Sequence, residues 1–358
     1  MNKRIPAAIL AAALCFACVP VLSGCSASVD FQLNTDESGN KYYVARCAGY
    51  SAGLKGEYVI PEYYGEGEDK APVTEIADEG FSVTGLTKIT VPKTVTKIGV
   101  AAFAYNNYLT EVVFEEGIDL EIIPRGAFGY CDDLEKVNIP DSVKSIGYMA
   151  FYSCTRLESV SLPSAEIIGG NAFYGCSKLS EVTFSETLTS IGDMAFCNTS
   201  ITEIIIPDSV HDIEKPDLDE NGEQKKDDDG NLLYYTVYGI GIAAFYNCAS
   251  LKLAVIGSGT ETIRYGAFGE CKSLEQLYLP AGLKEIQGAY YSASDNSYLF
   301  GHAFYNVPLT NLYFGGTEQQ WEELKKHIDN KPAYQNGITS DNSALFNAEI
   351  SFNTVYGK

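Results

Sequence analysis

Gly49-Tyr50-Ser51-Ala52-Gly53 has the G-x-S-x-G spacing of a nucleophile elbow, where a sharp strand-to-helix turn exposes a serine hydroxyl for attack on an acyl carbon. That chemistry also needs a helix after the serine, and an acid and a histidine downstream. Here Leu54-Lys55-Gly56-Glu57 heads for another strand, the nearest histidine is His211, and His302 and His327 have no partnered nucleophile pattern. The stretch therefore reads as a loop. A second constellation, Asp217-x-Asp219-x-Asn221-Gly222 followed by Asp228, puts oxygen donors at the spacing of a twelve-residue calcium loop. Lys225 and Lys226 fall inside it, no helical pattern flanks it, and its Asn-Gly and Asp-Gly pairs serve equally well as hairpin turns. Asp217, Asp219, Asn221 and Asp228 stay a calcium candidate, with no metal or other cofactor assigned. Neither HExxH nor a phosphate-cradling glycine loop is present, and the carboxylates are scattered as on a solvated acidic surface. The chain is read as a protein that is not an enzyme.

Cys15-x-x-Cys18 has the spacing of a redox pair but lies in an apolar run, Ile5 to Val21, behind Lys3 and Arg4. The run is followed by Leu22-Ser23-Gly24-Cys25. A basic start, an apolar stretch, small residues and then cysteine is the layout of a secretory signal with a lipoprotein cleavage box. It resembles the signals of bacterial lipoproteins, and the resemblance implies cleavage after Gly24 and a lipid on the Cys25 thiol. The competing reading is an uncleaved membrane helix, since Ile5 to Gly24 could just span a bilayer of ~30 Å, although it contains Pro6 and Pro20. Either way the chain is expected to be exported and held at a membrane.

The chain carries 25 basic and 47 acidic residues, net −22, and loss of residues 1–24 with Lys3 and Arg4 deepens this to −24. Such a balance keeps an exposed protein soluble and opposes binding to nucleic acid or anionic lipid. No nucleic-acid partner is expected.

What organises the rest is a repeat. Phe81, Phe103, Phe128, Phe151, Phe173, Phe196, Phe245, Phe268 and Phe304 follow one another at 22, 25, 23, 22, 23, 49, 23 and 36 residues. Each unit opens on Leu-x-x-Val-x-Ile-Pro, clearest in Leu134 to Pro140 and Leu157 to Pro163, and continues through Ile-Gly, as in Ile146-Gly147, to Ala-Phe. The Val-x-Ile alternation is strand-like, and proline, with no N–H for the ladder, stops the strand. One unit cannot bury its own apolar face, whereas stacked units share a core, so a period near 23 means a solenoid.

These motifs, with a cysteine three residues after the phenylalanine, resemble the BspA-like leucine-rich repeat family over about residues 73–314. The resemblance implies an α/β repeat solenoid of short parallel strands with short helical or 3-10 turns, capped at both ends. It also implies a cell-surface or secreted bacterial protein of adhesin type. The expected organisation is a signal peptide over 1–24, an anchor, hairpin and N-terminal cap over 25–72, the repeats over 73–314, and a C-terminal cap over 315–358. Phe31-x-Leu33 and Tyr42-Tyr43-Val44 around Asp36 to Asn40 read as the hairpin. Thr317-Glu318-Gln319-Gln320 reads as a capping box opening a short helix that buries Trp321, Leu324 and Ile328. Cys131, Cys154, Cys176, Cys248 and Cys271 occupy one repeat position, and parallel side chains suit a disulfide poorly, so free buried thiols are expected.

The long intervals hold insertions at about 215–240 and 288–300, both entering just before the Gly-x-x-Ala-Phe turn. Insertions on one edge of a repeat protein are often its binding face. Tyr234, Tyr235 and Tyr238 lie in one and Tyr290, Tyr291 and Tyr298 in the other. Tyrosine suits binding loops through contact area and a hydrogen-bonding tip, though local packing in a hairpin accounts for it equally. The outward strand position runs Thr90, Val113, Asn138, Ser161, Thr183, Ile205, Val255, Tyr278 and Tyr313, becoming apolar and aromatic toward the C-terminus. The expectation is a lipid-anchored surface protein that binds an extracellular protein or glycan, such as host matrix or mucin, through these tyrosines. A structural envelope spacer is the rival, and an uncharacterised hydrolase ranks behind it.

Overall fold

The computed structural model describes residues 28–48, 53–216, 234–292, 297–331, 333–335 and 338–357. Each repeat supplies three segments: a longer strand from Val-x-Ile, a two-residue strand from the Ile before glycine, and a turn around Ala-Phe. Stacking like segments produces three parallel ladders.

The longer strands form three consecutive parallel sheets. Lys55–Val59, Gly85–Val91, Glu111–Phe114 and Lys136–Val137 make the first, Ser159–Leu162 and Glu181–Phe184 the second. Glu203–Ile205, Leu253–Val255, Gln276–Leu279, Asn311–Phe314 and Glu349–Phe352 make the third. Asn138 marks a place where the backbone ladder lapses, because its side chain both accepts from Phe114 N and donates to Phe114 O at 3.3 Å. The short strands Ile122–Ile123, Ser145–Ile146, Ile167–Ile168 and Ser190–Ile191 pair in the same parallel sense.

The glycine after these isoleucines is set by backbone crowding. A Cβ on Gly147 would stand 2.7 Å from Arg125 N, and one on Gly192 2.4 Å from Gly170 N. No side chain fits there without moving the preceding repeat.

Between the ladders lies the core. All nine repeat phenylalanines are fully buried, and successive rings stack at centroid distances of 5.1–5.8 Å from Phe81 to Phe304. Phe196 stacks on Phe245 at 5.5 Å, so the first insertion leaves the stack without interrupting it. Stacked aromatic pairs contribute roughly 0.5–1.5 kcal/mol beyond the area they bury.

The expected helical or 3-10 turns are not what the described repeats contain. The Ala-Phe segment is a run of turns, because from Phe81 to Phe268 the residues two before and two after the phenylalanine lie at positive φ, as in Met149 (57°) and Ser153 (60°) around Phe151. Left-handed residues break any helix. They also turn alternate N–H groups toward the next repeat: Phe103 N donates to Ala127 O, Phe128 N to Ala150 O, and Phe268 N to Ala303 O, at 2.7–2.8 Å. Helices among the described residues lie outside the repeats, chiefly Glu318–Leu324 and Ser343–Asn347.

The cysteines run beside this ladder. Cys131 Sγ donates to Phe103 O, Cys154 to Phe128 O, Cys176 to Phe151 O, Cys248 to Phe196 O and Cys271 to Phe245 O, at 3.1–3.2 Å. All five are free and buried. Asn106 fills the same position one repeat earlier and donates to Phe81 O at 2.7 Å, so what the site needs is a small buried donor.

At one end the hairpin Ser28–Thr35 with Lys41–Ala48 lies where expected, its turn held by Asp36 Oδ1 accepting from Ser38 N and Asn40 N. Cys47 N donates to Gly80 O at 2.6 Å, satisfying the first carbonyl of the turn ladder. At the other end, the capping box on Thr317 and Gln320 opens the helix Glu318–Leu324. Trp321 is buried against Phe314 with centroids 5.4 Å apart, and Leu324 and Ile328 are buried beside it.

Candidate binding surface

The third long-strand sheet carries one outward row. Register places Ile205 opposite Val255, Val255 opposite Tyr278, Tyr278 opposite Tyr313 and Tyr313 opposite Ser351. Alternation forces these side chains onto the face away from the phenylalanine core, since their neighbours Ile204, Leu277 and Leu312 are buried in it. Tyr278 and Tyr313 stack with centroids 4.3 Å apart. Ile205 remains 48% exposed, whereas Val255 is only 8% exposed.

Part of the cover comes from the segment after the last strand. Asn353, at φ 55°, turns the chain back, and Asn353 N and Thr354 N donate to Gly316 O and Phe314 O. Tyr356 then meets Tyr278 edge-on at 5.1 Å, and its hydroxyl donates to Glu203 Oε1 at 3.1 Å. That carboxylate raises the Tyr356 phenol above its ordinary value. Between row and tail lies a groove of about 420 Å³, lined by Ile205, Val255 and Tyr278 on one side and Val355 and Tyr356 on the other, with Glu186 and Asp208 at its margin. Glu203 falls at a variable position of the repeat segment Ile201 to Pro207, and Val355 and Tyr356 lie beyond the repeats. The hint available in sequence was an aromatic four residues past the closing strand.

The insertions form hairpins on the short-strand side. Ile213–Pro216 pairs antiparallel with Tyr234–Val237, and Tyr290–Ser292 with Ser297–Phe300. Register puts Tyr234 opposite Pro216, Tyr235 opposite Lys215, Tyr290 opposite Phe300 and Tyr291 opposite Tyr298. Tyr238 packs locally: the Arg264 guanidinium lies 4.2 Å from its ring centre and is held by Asp193 at 3.2 Å. Tyr278 and Tyr313 are thus brought together, Tyr278 lining the groove and Tyr313 stacked on it. Cys25, Asp217, Asp219, Asn221 and Asp228 lie outside the described residues, as do Gly49 to Ala52. The strand Lys55–Val59 stands where an elbow would need a helix.

His302 Nδ1 is 2.9 Å from Ser340 Oγ, a spacing that could suggest a nucleophile and its base. Both are buried, at 1% and 7% exposure, and burial lowers the histidine's pKa. The pair joins the last repeat to the segment that follows it. Among the described residues no group of three His, Cys, Asp or Glu is placed to hold a metal ion, and no helix is long and apolar enough to cross a membrane.

The family model for the BspA type leucine rich repeat region matches in six copies over residues 74–165, 109–217 and 233–323. No curated protein matches the chain. Among solved structures, a leucine rich cell surface protein from Faecalibacterium prausnitzii is 20% identical, with 84% of this chain and 98% of that one covered and a TM-score of 0.45. The pneumococcal vaccine antigen PcpA is 24% identical, with 80% of each chain covered and a TM-score of 0.40. A leucine-rich repeat protein from Bacteroides ovatus is 19% identical, with 90% of this chain and 98% of that one covered and a TM-score of 0.31.

Proposed function

Because this chain belongs to the BspA-type leucine-rich repeat family, we propose that it is an exported, surface-displayed protein that binds another protein through the outward row Ile205, Val255, Tyr278 and Tyr313. The lipoprotein box Leu22-Ser23-Gly24-Cys25 supports anchorage through a lipid on Cys25. We read residues 73–314 as one elongated solenoid, closed by 25–72 at one end and 315–358 at the other. Cys47 on the first turn carbonyl and Trp321 against the last core ring support that reading. An anchored rod of this kind holds its binding face away from the membrane.

The observation that carries the binding role is the groove. Exposed strand positions on a lone structural spacer need only be polar. Here the row is aliphatic and aromatic, and it borders a concavity of about 420 Å³ on a chain of net charge −22. Concave apolar surface with a polar margin is the usual form of a recognition site. The Tyr-rich hairpins are a second contact region on the short-strand side, and adhesion to host matrix or mucin is the biological setting this reading favours.

The test is a solid-phase assay of lipid-free protein, residues 26–358, against purified matrix proteins and mucins. Saturable binding to one of them should fall at least tenfold in the double variant Tyr278→Ala, Tyr313→Ala, with the circular dichroism spectrum unchanged. Absence of binding across the panel, or binding indifferent to the double variant, would return the protein to the spacer reading.

A further inference from the structure

This inference rests on the binding reading above and concerns what the groove accepts. Ile205 on the sheet and Val355 on the tail are 48% and 50% exposed, and both line the groove. They form two apolar walls that water now touches. The charged residues that line the groove, Glu186 and Asp208, are both acidic, Glu203 accepts a hydrogen bond from the lining residue Tyr356, and no Lys, Arg or His is among the lining residues. All three carboxylate residues are exposed. Tyr356, itself part of the lining, already turns a hydrogen-bond donor to Glu203 while its ring meets Tyr278.

From this arrangement we infer that the groove takes an extended peptide segment in which an aliphatic residue is flanked by lysine or arginine. The aliphatic side chain seats between Ile205 and Val355, and the neighbouring cations reach Glu186 and Glu203. An acidic margin rejects an acidic segment by the same charges, and opposite potentials across a small interface supply specificity and encounter rate. A volume of about 420 Å³ matches one or two side chains. What enters the groove is therefore a short segment.

The probe is a fluorescein-labelled octapeptide of alternating lysine and leucine, titrated against the full chain in detergent by fluorescence anisotropy. Alternating glutamate-leucine and lysine-serine octapeptides serve as comparisons. The lysine-leucine peptide should bind at least tenfold tighter than either. Ile205→Ser should weaken it about tenfold, and Glu186→Gln with Glu203→Gln at least fivefold, whereas Glu37→Gln with Glu116→Gln, two exposed acids outside the groove, should leave it unchanged. Equal binding of the lysine-serine peptide, or equal weakening by both glutamine pairs, would mean attraction to the protein's overall charge and would overturn the inference. Should the matrix-protein assay respond to the Tyr278 and Tyr313 changes while the lysine-leucine peptide fails to bind, the inference falls and the binding reading stands.

Discussion

The side-chain Oδ1 of Asn342 accepts the N–H of Phe304 at 3.0 Å, the role that an alanine carbonyl of the next repeat plays for the earlier ladder phenylalanines. Phe304 has no following repeat. Asn342 is fully buried and is itself held, its amide donating to Asp329 O at 2.8 Å and to Gln287 O at 3.3 Å. A ladder whose N–H groups point one way must be terminated by an acceptor, and one asparagine supplies it.

Asn342→Ala should therefore cost at least ~2 kcal/mol, because it strands a buried N–H and removes the donor from two carbonyls. Urea denaturation followed by circular dichroism measures this. Asn347→Ala, at an exposed position in the helix Ser343–Asn347 that follows Asn342, should stay within about 0.5 kcal/mol. Equal effects would mean that the Phe304 contact does not stabilise the fold.

Two glycines separate two reasons for glycine. Gly126 sits at φ 63° with only Ala101 atoms at 3.9 Å from a would-be Cβ, so Gly126→Ala should cost about 1–2 kcal/mol for the left-handed backbone. Gly192→Ala meets backbone at 2.4 Å and should cost more than ~3 kcal/mol or prevent folding. A milder effect at Gly192 than at Gly126 would refute the crowding argument.

That contrast also marks how far the sequence could be read. The phenylalanine stack and the strands follow from residue types that recur at fixed spacing, and the capping box from the local Thr317-x-x-Gln320 pattern. The turns do not follow, because Ala101, Met149 and Met194 are poor residues for positive φ and take it only where the next repeat accepts their N–H groups. Local preference is overruled by a contact one repeat away. The groove was half legible: Tyr278 and Tyr313 fall on a countable row, while Glu203 and Tyr356 meet across 153 positions with no periodicity to announce it.

The thiols should be inert in the folded protein. Burial pushes Cys131 up to about 12, and half-buried Cys47, beside Asp30, up to about 11. The thiolate is the nucleophile, and Cys131, Cys154, Cys176, Cys197, Cys248 and Cys271 are in any case buried beyond a reagent's reach, so iodoacetamide at pH 8 should leave these six unmodified, with Cys47 reacting slowly. In guanidinium chloride all seven should react. Peptide mapping by mass spectrometry distinguishes the sites, and rapid native-state labelling of Cys154 would contradict the ladder geometry.

His302 predicts a pH dependence of stability. Burial lowers its pKa below the ordinary 6.5, and this outweighs the opposing pull of Asp329 and Asp341. The folded state therefore binds its proton less readily than the unfolded chain does. Above pH 6.5 the histidine is neutral in both states and costs nothing. As pH falls through 6.5 toward the lower folded value the unfolded chain gains a proton first, so stability declines, and it levels off once both states are protonated. His302→Gln keeps a polar group near Ser340 but removes the titration. Urea midpoints at pH 7.5 and 5.0 should accordingly move less in His302→Gln than in the parent, the carboxylates contributing equally to both. A parent and variant with parallel pH profiles would show that His302 has no net linkage to folding.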